Sequence, residues 1–235
     1  QASGGTDTVQ SSISVSLSVL AGASLQVENL ELMLGSAARD GTGNGLDNRL
    51  GGNANANSLS GLGGNDTLFG RGGDDTLDGG QGADSMEGGL GSDVYFVDDV
   101  DDPLDALDTF DRVVEGSDPN GGNDQVQSTG SYTLGDNVEN LLLLGTGAIN
   151  GTGNTLSNQL LGNSGANVLD GKAGADSMEG FGGDDSYYVD DLNDIVVEVT
   201  NGGTNDAVYT TLADYVLPAN IERLVLITTT SLNAT

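Results

Sequence analysis

Cysteine is absent from this chain of 235 residues, and so is histidine. The first absence excludes a disulfide framework and thiolate metal sites. Together the two remove the usual ligands of zinc and copper and the common nucleophile–base pairs of enzymes. Tryptophan is also missing and aromatic residues make up 4% of the chain, so only a thin core can be buried. Basic residues number 6 against 36 acidic ones, a net charge of −30. No basic patch is available to meet phosphate, which disfavours nucleic acid and an anionic membrane surface as partners. Self-repulsion on this scale opposes a compact state, so bound cations must supply part of the folding free energy. No apolar run is long enough for a transmembrane helix. With 3 prolines and no long stretch of helical period, the remaining pattern is one of short strands.

What the chain does have is glycine, 39 of them, placed in register. Six consecutive nine-residue blocks start at Gly43, and the fifth, Gly79-Gly80-Gln81-Gly82-Ala83-Asp84-Ser85-Met86-Glu87, is a complete G-G-x-G-x-D-x-U-x with U apolar. The blocks 61–69, 70–78, 79–87 and 88–96 keep Gly at positions 1 and 4, Asp at 6 and an apolar residue at 8. Blocks 43–51 and 52–60 carry Asn48 and Asn57 at position 6. In a second array, 153–161 and 162–170 are degenerate, while 171–179 and 180–188 are strong. A flexible linker has no reason to place Leu50, Leu59, Leu68, Leu77, Met86 and Tyr95 nine residues apart. Glycine lets the backbone turn with φ > 0 and aim carbonyls at one spot, and Asp supplies charge. Such an all-oxygen donor set suits calcium.

These blocks resemble the RTX (repeats-in-toxin) calcium-binding nonapeptide repeats. The resemblance implies an all-β fold, a calcium-bound parallel β-roll or β-solenoid in which two blocks make one turn and an ion sits between blocks i and i+2. It also implies ligand sets. One is the carbonyls of Leu62 and Gly64 with Asp66, joined by the carbonyls of Gly79 and Gln81 with Asp84, and Gly80 and Gly82, at positions 2 and 4 of that block, are further metal-site candidates. On the opposite edge it is Arg71, Gly73 and Asp75 with Gly88, Leu90 and Asp93. In the second array the candidates are Gly174, Asp176, Gly180, Gly182 and Asp185. The frame of nines runs on through Asp99 to Asp102 and through Asp191 to Asp194, which pairs Asp84 with Asp102 and Asp176 with Asp194. Sites that use Asn57 or Asn167 are expected to be weak or empty.

A second kind of segment recurs between the arrays. Val27-Glu28-Asn29-Leu30 returns as Val138-Glu139-Asn140-Leu141 and as Ile221-Glu222-Arg223-Leu224, each preceded by a strand signal such as Gly121-Gly122-Asn123-Asp124-Gln125-Val126. The expected organisation is a strand-rich segment at 1–42, a first array at 43–112, a strand-rich segment at 113–152, a second array at 153–197 and a strand-rich segment at 198–235. The last stops at Asn233-Ala234-Thr235, where the next Gly-Asn would fall, so the sequence is expected to be a slice of a longer protein. The alternation Ile13, Val15, Leu17, Val19 predicts a half-buried strand. The first array carries about nine extra residues near Asp102–Asp111 relative to the second.

The acidic run 98–111 lacks the glycine and flanking helices of an EF-hand. Paired carboxylates such as Asp74-Asp75 fall at ligand positions of the repeat, which argues against a catalytic pair. The expected function is a calcium-binding repeat region of a secreted protein with a structural, adhesive or surface-layer role, and no enzyme within these residues. Its partners are calcium ions, with other copies of itself or a cell-surface polysaccharide as further candidates. The competing expectation is the C-terminal calcium-binding region of a secreted protease, lipase or polysaccharide-modifying enzyme. Type I secretion and an extracellular or cell-surface location follow from the resemblance.

Overall fold

Strands of two to six residues separated by glycine turns account for nearly all regular structure in the computed structural model, which describes residues 5–20, 26–98, 110–117 and 121–227. The one helical element among them is a single turn, Leu17–Leu20. The strand pairings among the described residues are parallel, because each glycine turn carries the chain to the opposite face and two turns bring it back over its starting point. The chain folds as two compact units, one of residues 1–130 with 135–138, the other of 131–134 with 139–235.

In the first unit one sheet face runs Thr8–Ser11, Asn29–Leu32, Arg49–Gly51, Thr67–Gly72, Ser85–Leu90 and Arg112–Val113. The other runs Val15–Ser16, Asp40–Asn44, Ser58–Gly63, Thr76–Gln81, Val94–Val97 and Gln125–Ser128. Register is fixed by the apolar residue at position 8. Leu30, Leu50, Leu68, Met86 and Val113 stack as one column. Leu59, Leu77, Tyr95 and Val126 stack as the other. Each of these side chains is buried, so the thin core is two facing columns, one residue per half-turn. A slip of one residue would expose a whole column, which is why so small a core specifies its register.

The second unit repeats the design. Asn140–Leu143, Gln159–Leu161, Ser177–Glu179 and Ile195–Val197 form one face. Tyr132–Thr133, Gly151–Thr152, Val168–Asp170, Ser186–Val189, Ala207–Thr210 and Arg223–Leu226 form the other. Leu141, Leu160, Met178 and Val196 make one column, and Leu169, Tyr187 and Val208 lie in the other. The strand-rich segments continue these ladders. One strand departs from expectation: of residues 13–19 only Val15–Ser16 is extended, Ile13 is exposed, and Leu17 already belongs to the helical turn. Alternation alone did not register that the chain leaves the sheet there.

Candidate metal centres

The position-6 carboxylates form ladders along both edges of each roll. Asp66 Oδ1 accepts the Asn48 N–H at 2.6 Å, and Asp84 Oδ1 accepts the Asp66 N–H at 2.6 Å. On the other edge Asp75 accepts from Asn57 at 2.6 Å and Asp93 from Asp75 at 2.7 Å. In the second unit Asp176 accepts from Asn158 and Asp185 from Asn167, each at 2.7 Å. One carboxylate oxygen thus fixes the spacing between successive turns. The other is left over: Oδ2 of Asp66, Asp75, Asp93, Asp176, Asp185 and Asp206 is buried and has no hydrogen-bond partner.

Buried anions without partners are costly, and burial drives these groups toward protonation. Burial first, and then the neighbouring Asp84 and Asp47 charges, raise Asp66 to about 7 against the hydrogen bond from Asn48. Burial raises Asp75 to about 8 and Asp185 to about 7. The side chains are therefore preset for a cation. Backbone oxygens converge on the same place. The Leu62 and Gly64 carbonyls point into the turn Gly79–Gly82 so closely that a Cβ on Gly80 or Gly82, both at positive φ, would collide with them. The Gly79 carbonyl lies beside Asp66 Oδ2, and the Gly88 carbonyl beside Asp75 Oδ2. At position 2, Leu62 (φ 82°), Arg71 (φ 80°), Lys172 (φ 65°) and Phe181 (φ 68°) are held in the left-handed region, strain that aims the carbonyl.

Asparagine at position 6 does something different. Asn48 Oδ1 accepts the Asn44 N–H and Asn57 Oδ1 the Asn53 N–H, both at 2.7 Å. Asn57 Nδ2 donates to the Ala38 carbonyl at 3.3 Å, and Asn167 Nδ2 to the Ile149 carbonyl at 2.6 Å. The amide NH₂ thus satisfies a backbone carbonyl of the preceding turn.

The structure brings Asp66 to Asp84, Asp75 to Asp93, and Asp176 to Asp194, whose Oδ1 accepts the Asp176 N–H at 3.0 Å. The expected pairing of Asp84 with Asp102 falls on a residue that is not described. Asp99 and Asp102 lie outside the described residues, and it is Asp111 whose Oδ1 accepts the Asp84 N–H at 3.0 Å, with Arg112–Val113 paired to Ser85–Met86. The separation is 27 residues, three blocks of nine, where Asp66 and Asp84 are 18 apart. Asp191 is not brought to the ladder either. Its Oδ1 accepts from the Asn193 backbone and side chain, and it is Asp194 whose Oδ2 takes the Asp190 and Asp191 N–H groups.

Two ladder members lie outside the frame of nines, Asp124 and Asp206, while Asp111 keeps the count but comes three blocks after Asp84 instead of two. Asp124 Oδ1 accepts the Asp93 N–H at 2.8 Å, and Asp206 Oδ1 the Asp185 N–H at 2.7 Å. Both end a Gly-Gly-containing motif, Gly121-Gly122-Asn123-Asp124 and Gly202-Gly203-Thr204-Asn205-Asp206, which reads as a strand signal and also delivers a carboxylate to the ladder.

A parallel β-roll with glycine turns, a carboxylate ladder and uncompensated buried oxygens is a calcium-dependent repeat fold. The family model of the RTX calcium-binding nonapeptide repeat matches the chain four times, over residues 42–77, 60–95, 70–102 and 161–196. The arrays are RTX calcium-binding nonapeptide repeats, and calcium is their ion. No curated protein matches the chain.

Proposed function

We propose that this chain is the calcium-triggered structural region of a secreted, extracellular or cell-surface protein, extended where calcium is scarce and wound into a roll where it is millimolar. The observation that carries the reading is the set of buried, partnerless Oδ2 atoms at Asp66, Asp75, Asp93, Asp176 and Asp185. Without a cation these charges and the −30 net charge oppose the fold; with one, each roll is cross-linked turn by turn. Leu62, Gly64, Asp66, Gly79 and Asp84 would hold one ion, and Arg71, Gly73, Asp75, Gly88 and Asp93 another. A role as surface fibre, layer or adhesin, with further copies of the chain or a polysaccharide as partner, is supported by the recurrence of the long unit and by the absence of histidine and cysteine for catalysis. Export before folding, by a type I route, suits a chain that stays unwound in low calcium.

The test is circular dichroism of the chain in EGTA and then in millimolar calcium at pH 7. The expected result is a coil spectrum that converts to β on adding calcium and returns on chelation. A full β spectrum in EGTA at pH 7 would sink the reading.

A further inference from the structure

Each array ends differently from the way it runs. Position 8 is Leu or Met in the strong blocks until the last, where it is Tyr95 in the first array and Tyr187 in the second. Both tyrosines are fully buried, and both hydroxyls donate to a buried glutamate, Tyr95 to Glu115 and Tyr187 to Glu198. The sequence separations are 20 and 11 residues, so the same contact is made across loops that differ by one nine-residue block. In the first unit, carboxylate oxygens of Asp93, Glu115 and Asp124 lie within 4.8 Å of one another, and in the second so do those of Asp185, Glu198 and Asp206. All six residues are more than nine-tenths buried. Oδ2 of Asp93 and Oε2 of Glu115 have no hydrogen-bond partner, and neither do Oδ2 of Asp185 and of Asp206.

The backbone shows what the glutamate replaces. In mid-array, the space above Gly61 and Gly70 is shared by an Asp Oδ2 and the carbonyl of the glycine one turn on, Gly79 or Gly88. Above Gly88 and Gly180, the corresponding glycines of the last blocks, the Asp Oδ2 is met by the tyrosine hydroxyl instead. On the other side of the turn the pattern of mid-array is kept: the Gly91 carbonyl crowds Gly122, and the Gly183 carbonyl crowds Gly203. Part of the usual set is therefore present, and a glutamate stands in for the rest.

We propose that each array is closed by a calcium site of distinct composition, Asp93–Glu115–Asp124 in the first unit and Asp185–Glu198–Asp206 in the second, in which the glutamate is a ligand and the tyrosine holds it in place. Three carboxylates on one divalent ion leave a net negative centre, and the hydroxyl hydrogen bond to the glutamate, with the Gly88 N–H donating to Tyr95 Oη at 2.8 Å and to Glu115 Oε1 at 3.1 Å, offsets part of it. The inference rests on calcium being the ion of the arrays.

Calorimetric titration with calcium of the whole chain, its Glu115→Gln and Glu198→Gln variants and the double variant tests it. Each single variant is expected to bind one ion fewer than the parent chain, and the double variant two fewer, with the β spectrum retained at saturating calcium. A folded double variant that binds the parent number of ions with unchanged affinity overturns the proposal. A parent chain that binds no calcium overturns the calcium reading itself, a different result. A second arm does not depend on how the glutamate variants fold. With no tryptophan present, terbium loaded in place of calcium is sensitised by tyrosine. Emission from the loaded parent chain is expected to fall several-fold in the Tyr95→Phe/Tyr187→Phe double variant while terbium binding persists; equal emission from both overturns the proposal.

Discussion

A position-6 side chain has two tasks, and Asp and Asn divide them differently. In Asp75 one oxygen takes the Asn57 N–H and the other has only a cation to answer it. In Asn57 the oxygen takes the Asn53 N–H and the amide answers the Ala38 carbonyl. Asn57→Ala should therefore weaken the roll at any calcium concentration, by about 1–3 kcal/mol for the buried groups it strands, and leave the number of bound ions unchanged. Urea unfolding at saturating calcium and a calorimetric ion count check this; loss of an ion would mean that Asn57 is a ligand. Asp84→Ala, in contrast, removes a carboxylate lying between Asp66 and Asp111 and should raise the calcium concentration needed to fold the first array. Asp74 at position 5 is exposed and accepts the Ser92 N–H at 3.0 Å, a bond that water can replace, so Asp74→Ala should move that midpoint little. Equal shifts in a calcium titration followed by circular dichroism would show the register to be wrong.

At the scale of the half-turn, the chain accepts local strain to aim carbonyls. Leu62 sits at φ 82° with its side chain 46% exposed, so it contributes little burial there. Leu62→Gly should stabilise the calcium-loaded roll by about 0.5–1 kcal/mol, the left-handed penalty less the entropy of glycine. A lower urea midpoint in saturating calcium would show that Leu62 contributes by packing. This scale also marks what the sequence reveals. The columns Leu50–Leu68–Met86 and Leu59–Leu77–Tyr95 were legible because burial recurs at every ninth residue, and so were Asp66, Asp75, Asp84 and Asp93, which share that period. Asp124 and Asp206 were not, because their separations of 31 and 21 residues break the count, and neither was Asp111, which keeps the count but comes three blocks after Asp84 where the array pairs every second block. Glu115 and Glu198 belong to no block. Their only signal was the tyrosine at position 8 of the last block in each array, which takes meaning once its hydroxyl is seen to reach them.

For the whole molecule, the decisive quantity is negative charge that must be buried. In the calcium-free fold burial raises Asp93 and Asp176 to about 6, Asp66, Asp111 and Asp185 to about 7, and Asp75 to about 8, each from 3.8. The folded state then binds more protons than the unfolded chain throughout that interval. Stability without calcium is accordingly greatest below about 4 and is lost as pH rises through about 6 to 8. In EGTA the β signal should be strongest near pH 4 and should fade toward pH 8. With calcium present the sign of the requirement changes, since protons compete for the same oxygens: the calcium midpoint should rise as pH falls from 8 to 6. Diffuse repulsion from the −30 net charge would also relax on acidification, but it is screened by salt, whereas buried carboxylates are screened far less. Molar sodium chloride at pH 8 in EGTA should therefore fail to restore the β signal that acid restores. Circular dichroism over pH, with and without salt, separates the two. If salt restores the fold as fully as acid does, general charge repulsion governs folding and the buried carboxylate ladder does not.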